Sequence, residues 1–462
     1  MRGIYARIQH VFAGRAGKEK EREPSAVSRL VNGWWNRLIA AVYSGSLSDE
    51  TERYASHSTK RDYVWNSVGL AAWGFIFPIL TIVASQTVGA EQAGLFSMAF
   101  VIGNLLLFIG NYGVRTYQIS DIDEEHSFYD YQINRIITSV IMLVVGIAWC
   151  RIRGYDETMT LICMGVFVYR MIDGLADVYE GRLQQFDKLY LAGVSQTLRS
   201  VLVILAFSLV VFVTRNLVLA SIAMAIASLA SFVLLTLPLA LFETPKSREF
   251  SPRELGIIFK DCFPLFTALF LYALIDNMPK LVMEGTLTYD NQLYFNAMYF
   301  PAHAIVMLAG IVYKPQLVRL AALWSEPDEH RRFNIIVLAM FGFIAGITLV
   351  IGLVIAWVGI PVMSVLYGID FERFRTLTYV MVVTGGVSAA IDFLYQIITV
   401  FREQGSVTRL YLIAFVFAVP ISFLLINYSE LSGAVVDNLV IMAMLFVLLV
   451  TEYFTIKKRL DT

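Results

Sequence analysis

Twelve almost wholly apolar runs recur between Tyr63 and Phe454, far more than the core of a soluble domain of this length could bury. They are Tyr63 to Ala84, Gly94 to Tyr112, Ile136 to Cys150, Thr158 to Leu175, Tyr190 to Val213, Leu217 to Phe242, Phe263 to Val282, Tyr294 to Tyr313, Phe333 to Val358, Leu377 to Val400, Leu410 to Tyr428 and Ala434 to Phe454. A helix that crosses the hydrocarbon needs roughly 20 such residues, so each run reads as a membrane-spanning helix. The alternating ten-residue pattern of a membrane barrel is absent. A hydrophobic share of 57% and a mean hydropathy of +0.65 agree. The expected fold is an all-α polytopic membrane protein of about 12 transmembrane helices, arranged as two pseudo-symmetric six-helix bundles around a central cavity.

Charge sets the orientation. With the N-terminus inside, twenty Lys and Arg residues fall on the cytoplasmic side and six on the other, so both termini are expected in the cytoplasm. The net charge of −1 leaves no basic excess for nucleic acid. Cys150, Cys163 and Cys262 lie in or beside apolar runs without CxxC spacing, which implies neither a disulfide framework nor a zinc site. No secretory signal peptide is visible in the arm, residues 1–61. Within that arm Val27, Leu30, Val31, Trp34, Trp35, Leu38 and Val42 recur at helical spacing, which predicts an amphipathic interfacial helix over about 27–43. The six-helix halves are expected at 62–245 and 246–462. No Walker A, HExxH, GxSxG or Gly-rich dinucleotide sequence is present, so the chain reads as a transporter and not as an enzyme.

The halves repeat. EQAGLFSMAF at Glu91 aligns with DNQLYFNAMYF at Asp290 with an offset of 199, which equates Ser97 with Asn296, Asn104 with His303 and Arg115 with Lys314. On a continuous second helix Ser97, Asn104, Asn111, Arg115 and Gln118 fall within roughly 60° of one another. Asn296, His303 and Lys314 share a face of the eighth within about 20°. A lipid-facing charge is expensive, so both stripes are expected to line a cavity, or else to glue helices together by hydrogen bonds.

Two further groups stand out. In YRMIDGLADVYEGRLQQFDK, Arg170, Asp173, Asp177, Glu180 and Gln184 share an arc of about 80°. Their acids read either as an ion-coupling set or as partners of Arg170 and loop arginines. In LYALIDNMPKLVME, Asp276 and Lys280 are four apart and can pair beside Pro279, as a gate or as a static kink. Asp392 lies alone in an apolar run.

The segments GNYGVRTYQISD from Gly110, DGLADVYEGRLQQFDKLYLAGVSQTLRS from Asp173, DNMPK from Asp276 and YKPQLVRLAALW from Tyr313 resemble the Wzx-type polysaccharide (O-antigen) flippases of the multidrug/oligosaccharidyl-lipid/polysaccharide exporter superfamily. The resemblance runs from Tyr63 to the C-terminus. It implies flipping of an undecaprenyl-pyrophosphate-linked oligosaccharide across the bacterial plasma membrane by alternating access, alongside other polysaccharide assembly proteins. Arg115, Lys314, Lys280 and Arg319 would then hold the pyrophosphate, and Ser97, Asn104, Asn111, Gln118, Asn296 and His303 the glycan. Asp173, Asp177, Glu180 or Asp276 would serve coupling to H+ or Na+, or gating. Two alternatives stay open: a cation-coupled multidrug exporter of the same superfamily, whose cavity should be acidic, and a membrane glycan polymerase or ligase, which would need larger outer loops.

Overall fold

The computed structural model describes residues 51–462 other than 122–123, 247–249, 318–319, 321–322, 325–328, 402–403 and 461–462. The expected interfacial helix at 27–43 and the expected phosphate ligand Arg319 lie outside the described residues. Among the described residues every regular element is helical. The first half comprises α1 (Thr51–Val88), α2 (Ala90–Asn111), the short α3 (Val114–Ser120), α4 (Phe128–Arg153), α5 (Glu157–Gln185), α6 (Leu189–Thr214) and α7 (Leu217–Glu243). The second comprises α8 (Pro252–Thr286), α9 (Asp290–Tyr313), α10 (His330–Tyr367), α11 (Arg375–Val400) and a 57-residue stretch, Gln404–Leu460. As one rod that stretch would reach about 85 Å, more than twice the hydrocarbon thickness. It breaks instead at Ser429 (φ −131°) and Glu430 (φ 51°), which gives α12 over 404–428 and α13 over 431–460. Each of the twelve apolar runs thus falls in one long helix, and the chain is a multi-pass membrane protein.

Local chemistry explains the ends. Ser127 and Asp130 form a reciprocal capping box at the start of α4, and the Asp156 side chain accepts from Met159 N (2.9 Å) at the start of α5. Gly154 closes α4 in the left-handed region (φ 65°). The short π segments Phe232–Thr236 and Ile355–Gly359 each precede a proline, Pro238 and Pro361, whose missing N–H displaces the normal ladder. The surface is inverted relative to a soluble protein: Leu209 and Trp357 are 66% and 84% exposed, whereas Arg135 and Arg199 are buried. That inversion is stable only in lipid.

Successive helices alternate in direction, so the molecule has two faces. The face with the outer ends of α1 and α13 is called here the terminal face, and the face with the α1–α2 turn at Gly89 the far face. Within the first half α2, α4, α5 and α7 pack together with α6 on α7, and within the second α8 and α11 pack on α12 and α13 with α9 on α11. The halves meet along α2–α9, α2–α8 and α4–α8.

Candidate functional site

The α2–α9 contact lies where the sequence repeat puts its symmetry. Asn296 Nδ2 donates to Ser97 Oγ at 2.9 Å, so two residues equated by the 199-residue offset touch each other, and both are buried. At the far-face end a β-carbon on Gly94 would overlap the Tyr289 carbonyl, so the two backbones are in contact there. Two turns towards the terminal face, Asn104 is half-buried and His303 exposed; beyond the end of α2 Arg115 is half-buried, and Lys314, just past α9, is exposed. The α2–α9 seam is thus tightest at its far-face end and exposure rises towards the terminal face, where α8 joins the first half: the Tyr117 hydroxyl donates to Asp261 (3.3 Å), His126 lies 3.0 Å from Glu254, and Ser251 N donates to Asp130 (2.9 Å).

Other bonds close the far face. Ser85 Oγ donates to the Tyr367 carbonyl (2.7 Å), and Gln86 Nε2 donates to the carbonyls of Val365 and Leu366 (2.9 Å each). Arg153 pairs with Glu284 at 2.9 Å, and the Tyr155 hydroxyl donates to the same carboxylate. Burial first, and then that carboxylate, push the Tyr155 phenol well above its ordinary range.

At the terminal-face end of the first lobe seven charged side chains form one network. Asp177 bridges Arg115 (2.5 Å) and Arg135 (3.0 Å) through its two oxygens. Arg115 also donates to Gln184 Oε1 (3.1 Å), and Arg135 to Asn111 Oδ1 (2.6 Å) and the Gly110 carbonyl (2.9 Å). Arg199 joins Glu180 (2.6 Å) to Asp173 (3.1 Å), which also takes Arg170 (3.0 Å) and the indole N–H of Trp73 (2.6 Å). Four arginines face three acids, so the network carries one net positive charge. Burial pulls the Arg115 pKa down, but Asp177 and Glu180 outweigh it and the net displacement is upward. The rim of the network is its accessible part: the Arg115 and Asp177 side chains are 28% and 20% exposed, and Arg135 is 0%.

Several expectations change. The second helix does not run on to residue 118: Tyr112 (φ 48°) and Gly113 (φ 70°) are left-handed and end α2, so Arg115 and Gln118 belong to α3 and leave the stripe. Gln118 is buried and donates to the Val178 carbonyl (3.1 Å), and Ser97 and Asn296 are occupied by each other, so these three hold helices together in this conformation and line no cavity. Asp276 and Lys280 do not form an ion pair. Asp276 accepts from the Tyr299 hydroxyl (2.7 Å), while Lys280, 4% exposed, donates to Asn277 Oδ1 (2.9 Å) and lies over the Tyr299 ring (4.1 Å). Lys280 is thus closed to an anion here. Asp173, Asp177 and Glu180 are each paired with arginine. Asp392 takes the Tyr313 hydroxyl and lies in a tyrosine-rich part of the second lobe with Tyr395 and Tyr411. Arg135, Arg199 and Trp73 were not singled out as site residues. An arginine inside an apolar run, as Arg199 is, signals a buried partner.

These features define an all-helical, multi-pass membrane protein. No protein-family model matches the chain, and no curated protein matches it in sequence. Solved structures match in fold. An inward-facing multidrug resistance MATE transporter of the MOP superfamily superposes with a TM-score of 0.61 at 16% identity, over 85% of this chain and 99% of that one. A MOP superfamily transporter from Pyrococcus furiosus, described as having a binding pocket of reverse polarity that suggests a different function, gives 0.59 at 14% identity over 87% and 96%. A eukaryotic MATE transporter gives 0.57 at 13% identity over 86% and 96%. The chain has the fold of the MATE transporters of the MOP superfamily.

Proposed function

We propose that this protein flips an undecaprenyl-pyrophosphate-linked oligosaccharide across a bacterial plasma membrane by alternating access, with the terminal face in the cytoplasm as the distribution of Lys and Arg favours. The observation that carries this reading is the Asp177 bridge: one carboxylate spans Arg115 and Arg135 as a phosphoryl group would, at the half-exposed rim of a network with an excess positive charge. A pyrophosphate arriving from the terminal face exchanges with Asp177 on Arg115, whose planar fork suits two oxygens at once. Lys314, exposed on the equivalent position of the other lobe, supplies a second cation. Asn104, Asn111 and His303 offer polar contacts to sugars, and the polyprenyl chain stays in lipid. Ser97 and Asn296 become available to glycan only once the seam opens, and Lys280 meets the anion only in the far-open state.

A cation-coupled drug exporter is the second reading. It is favoured by the acid and tyrosine groups of the second lobe, Asp276 with Tyr299 and Asp392 with Tyr313, which suit an organic cation. One experiment separates the two: purified protein in liposomes, labelled undecaprenyl-pyrophosphate oligosaccharide, and accessibility measured from each side. Arg115→Gln should slow flipping by about 10–150-fold, the worth of a hydrogen bond to a charged group, roughly 1.5–3 kcal/mol. Near-native flipping by the variant refutes the capture role. Movement of an organic cation with no movement of the lipid selects the exporter, and chemical conversion of the lipid would select a polymerase or ligase.

A further inference from the structure

The last two helices hold a carboxyl group that the charged network does not reach. At the top of the α12–α13 hairpin a β-carbon on Gly433 would overlap the Leu425 carbonyl, so the two backbones touch there. One turn further along each helix lie Asp437 on α13 and Ser422 on α12, both at 0% exposure. The Ser422 hydroxyl faces the Asp437 carboxyl as its hydrogen-bonding neighbour, and neither side chain makes a hydrogen bond to anything else among the described residues. The neighbouring Asn438 turns towards α8, where its amide approaches the Asp276 carbonyl at 3.4 Å.

The elements packed on this hairpin are α8, α11 and, more lightly, α9. The charged or titratable groups they carry within the membrane are engaged elsewhere: Asp276 with Tyr299, Lys280 with Asn277, and Asp392 with Tyr313. His303 on α9 stacks on Tyr299 (centroids 5.9 Å), and Tyr272 on α8 packs against Tyr411 of α12 (5.6 Å). Arg375 of α11 is paired with Glu372 at 2.8 Å. Glu430, at the break between α12 and α13, is exposed. An ionised carboxylate at Asp437 would have no counter-ion and one neutral hydroxyl beside it in a medium that solvates charge poorly.

We propose that Asp437 is a proton-binding site: it holds a proton as the neutral acid while the far face is closed, and releases it to water when the lobes rearrange and the hairpin is exposed to the far side. The position suits this exchange, because Asp437 lies six residues into α13, about 9 Å below its far-face end. Release leaves a carboxylate in water and a proton in the far compartment; closure of the far face requires a proton to be taken up again. This makes the far-open to far-closed step proton-dependent and places coupling in the second lobe, away from the arginine-saturated acids of the first. The inference rests on the alternating-access part of the proposed function but not on the identity of the substrate.

The test is infrared difference spectroscopy on the full-length protein in liposomes, titrated from mildly acid to mildly alkaline pH without substrate. The native protein should show the C=O stretch of a protonated carboxyl with no charged partner, shifting on H–D exchange, and Asp437→Asn should lack it. Asp437→Asn imitates the neutral acid and should fold; should it not, Asp437→Glu must move the band. A band that survives in Asp437→Asn, or stays unshifted in Asp437→Glu, overturns the site. In Gly94→Ala, which pries the far face apart, the band should lose at least half its intensity at neutral pH; unchanged intensity there overturns the link to access. Failure of the lipid-linked oligosaccharide reading would show in the flipping assay and leave these spectra as they are.

Discussion

The far-face closure depends on a glycine, and its replacement tests the conformational reading directly. At Gly94 a β-carbon would overlap the Tyr289 carbonyl and lie 3.0 Å from Asp290 N, both backbone atoms that no rotamer change can move. Ordinary contact begins near 3.5 Å, so α2 and α9 must part by on the order of 1–2 Å. Helix α9 cannot retreat on its other side, because a β-carbon on Gly385 of α11 would already lie 2.5 Å from the Ala302 carbonyl. The strain therefore falls on the seam and on the Ser97–Asn296 bond one turn away. Overpacking of this kind costs about 1–3 kcal/mol. Because the cost is borne only by the far-closed state, it shifts the equilibrium towards far-open by roughly 5–150-fold, at 1.4 kcal/mol per factor of ten. The readout is a cysteine at Ser97, buried when the seam is closed, labelled by a membrane-impermeant thiol reagent applied from the far side; background from Cys150, Cys163 and Cys262 is subtracted with the matching Ser97 protein. Gly94→Ala should raise the labelling rate by that factor while the protein elutes and melts as a folded species. A folded variant with an unchanged labelling rate would refute the assignment of Gly94 to the closing seam.

The charged network predicts a specific pattern of stability. Arg135→Met strips Asp177 of one partner and takes from Asn111 Oδ1 its Arg135 donor, while the Gly110 carbonyl keeps the Thr138 hydroxyl (2.7 Å); removing one member of a buried pair costs about 3–5 kcal/mol. The lower end is expected, because Asp177 is 20% exposed and keeps Arg115. Arg135→Met combined with Asp177→Asn should recover part of the lost melting temperature in detergent, whereas additive losses would show that the two groups are not coupled. Alkaline behaviour gives another handle at the terminal face, where burial first and then Asp261 push the Tyr117 phenol from 10.0 up to about 12. A raised phenol keeps its proton longer in the folded state, so its stabilising contribution is complete below pH 10 and is lost as pH rises through about 12. Tyr117→Phe should remove one late-ionising phenol from the ultraviolet titration; an unaltered titration curve contradicts the placement of Tyr117 beside Asp261.

The helices were legible because the membrane imposes a length and a composition on each of them, and all twelve runs are helical. The offset of 199 that pairs Ser97 with Asn296 was legible as well. That the two touch could not be read from an offset, since it depends on where the symmetry axis runs. The break at Tyr112–Gly113 was missed because periodicity assumes a continuous helix, although Gly113 offered a cue. The arginine–acid pairings escaped for a deeper reason. Arg115 and Asp177 stand 62 residues apart and Arg199 and Asp173 stand 26 apart, so which acid meets which guanidinium is decided by helix packing. Asp437 went unremarked inside the last apolar run, where one acid barely alters the hydropathy.

An anion site built only from Arg115 and Arg135 would set two guanidiniums against each other in a low dielectric whenever substrate was absent. Asp177 removes that repulsion, and it does so at the accessible end of the network, where Arg115 can swing to a ligand while Arg135 stays fixed by Asn111 and the Gly110 carbonyl. On the proposed reading a pyrophosphate, which carries more negative charge than one carboxylate, would displace Asp177 on binding. After release of such a substrate the carboxylate would still be within reach to reclaim its arginines. A transporter has to let go as well as bind, and an internal competitor limits affinity at the step where release is required. In a purely structural network, Asp177→Asn would only destabilise the protein. In a transport site it should also slow product release while tightening pyrophosphate binding, and those two effects can be measured apart in binding and flipping assays on the same preparation.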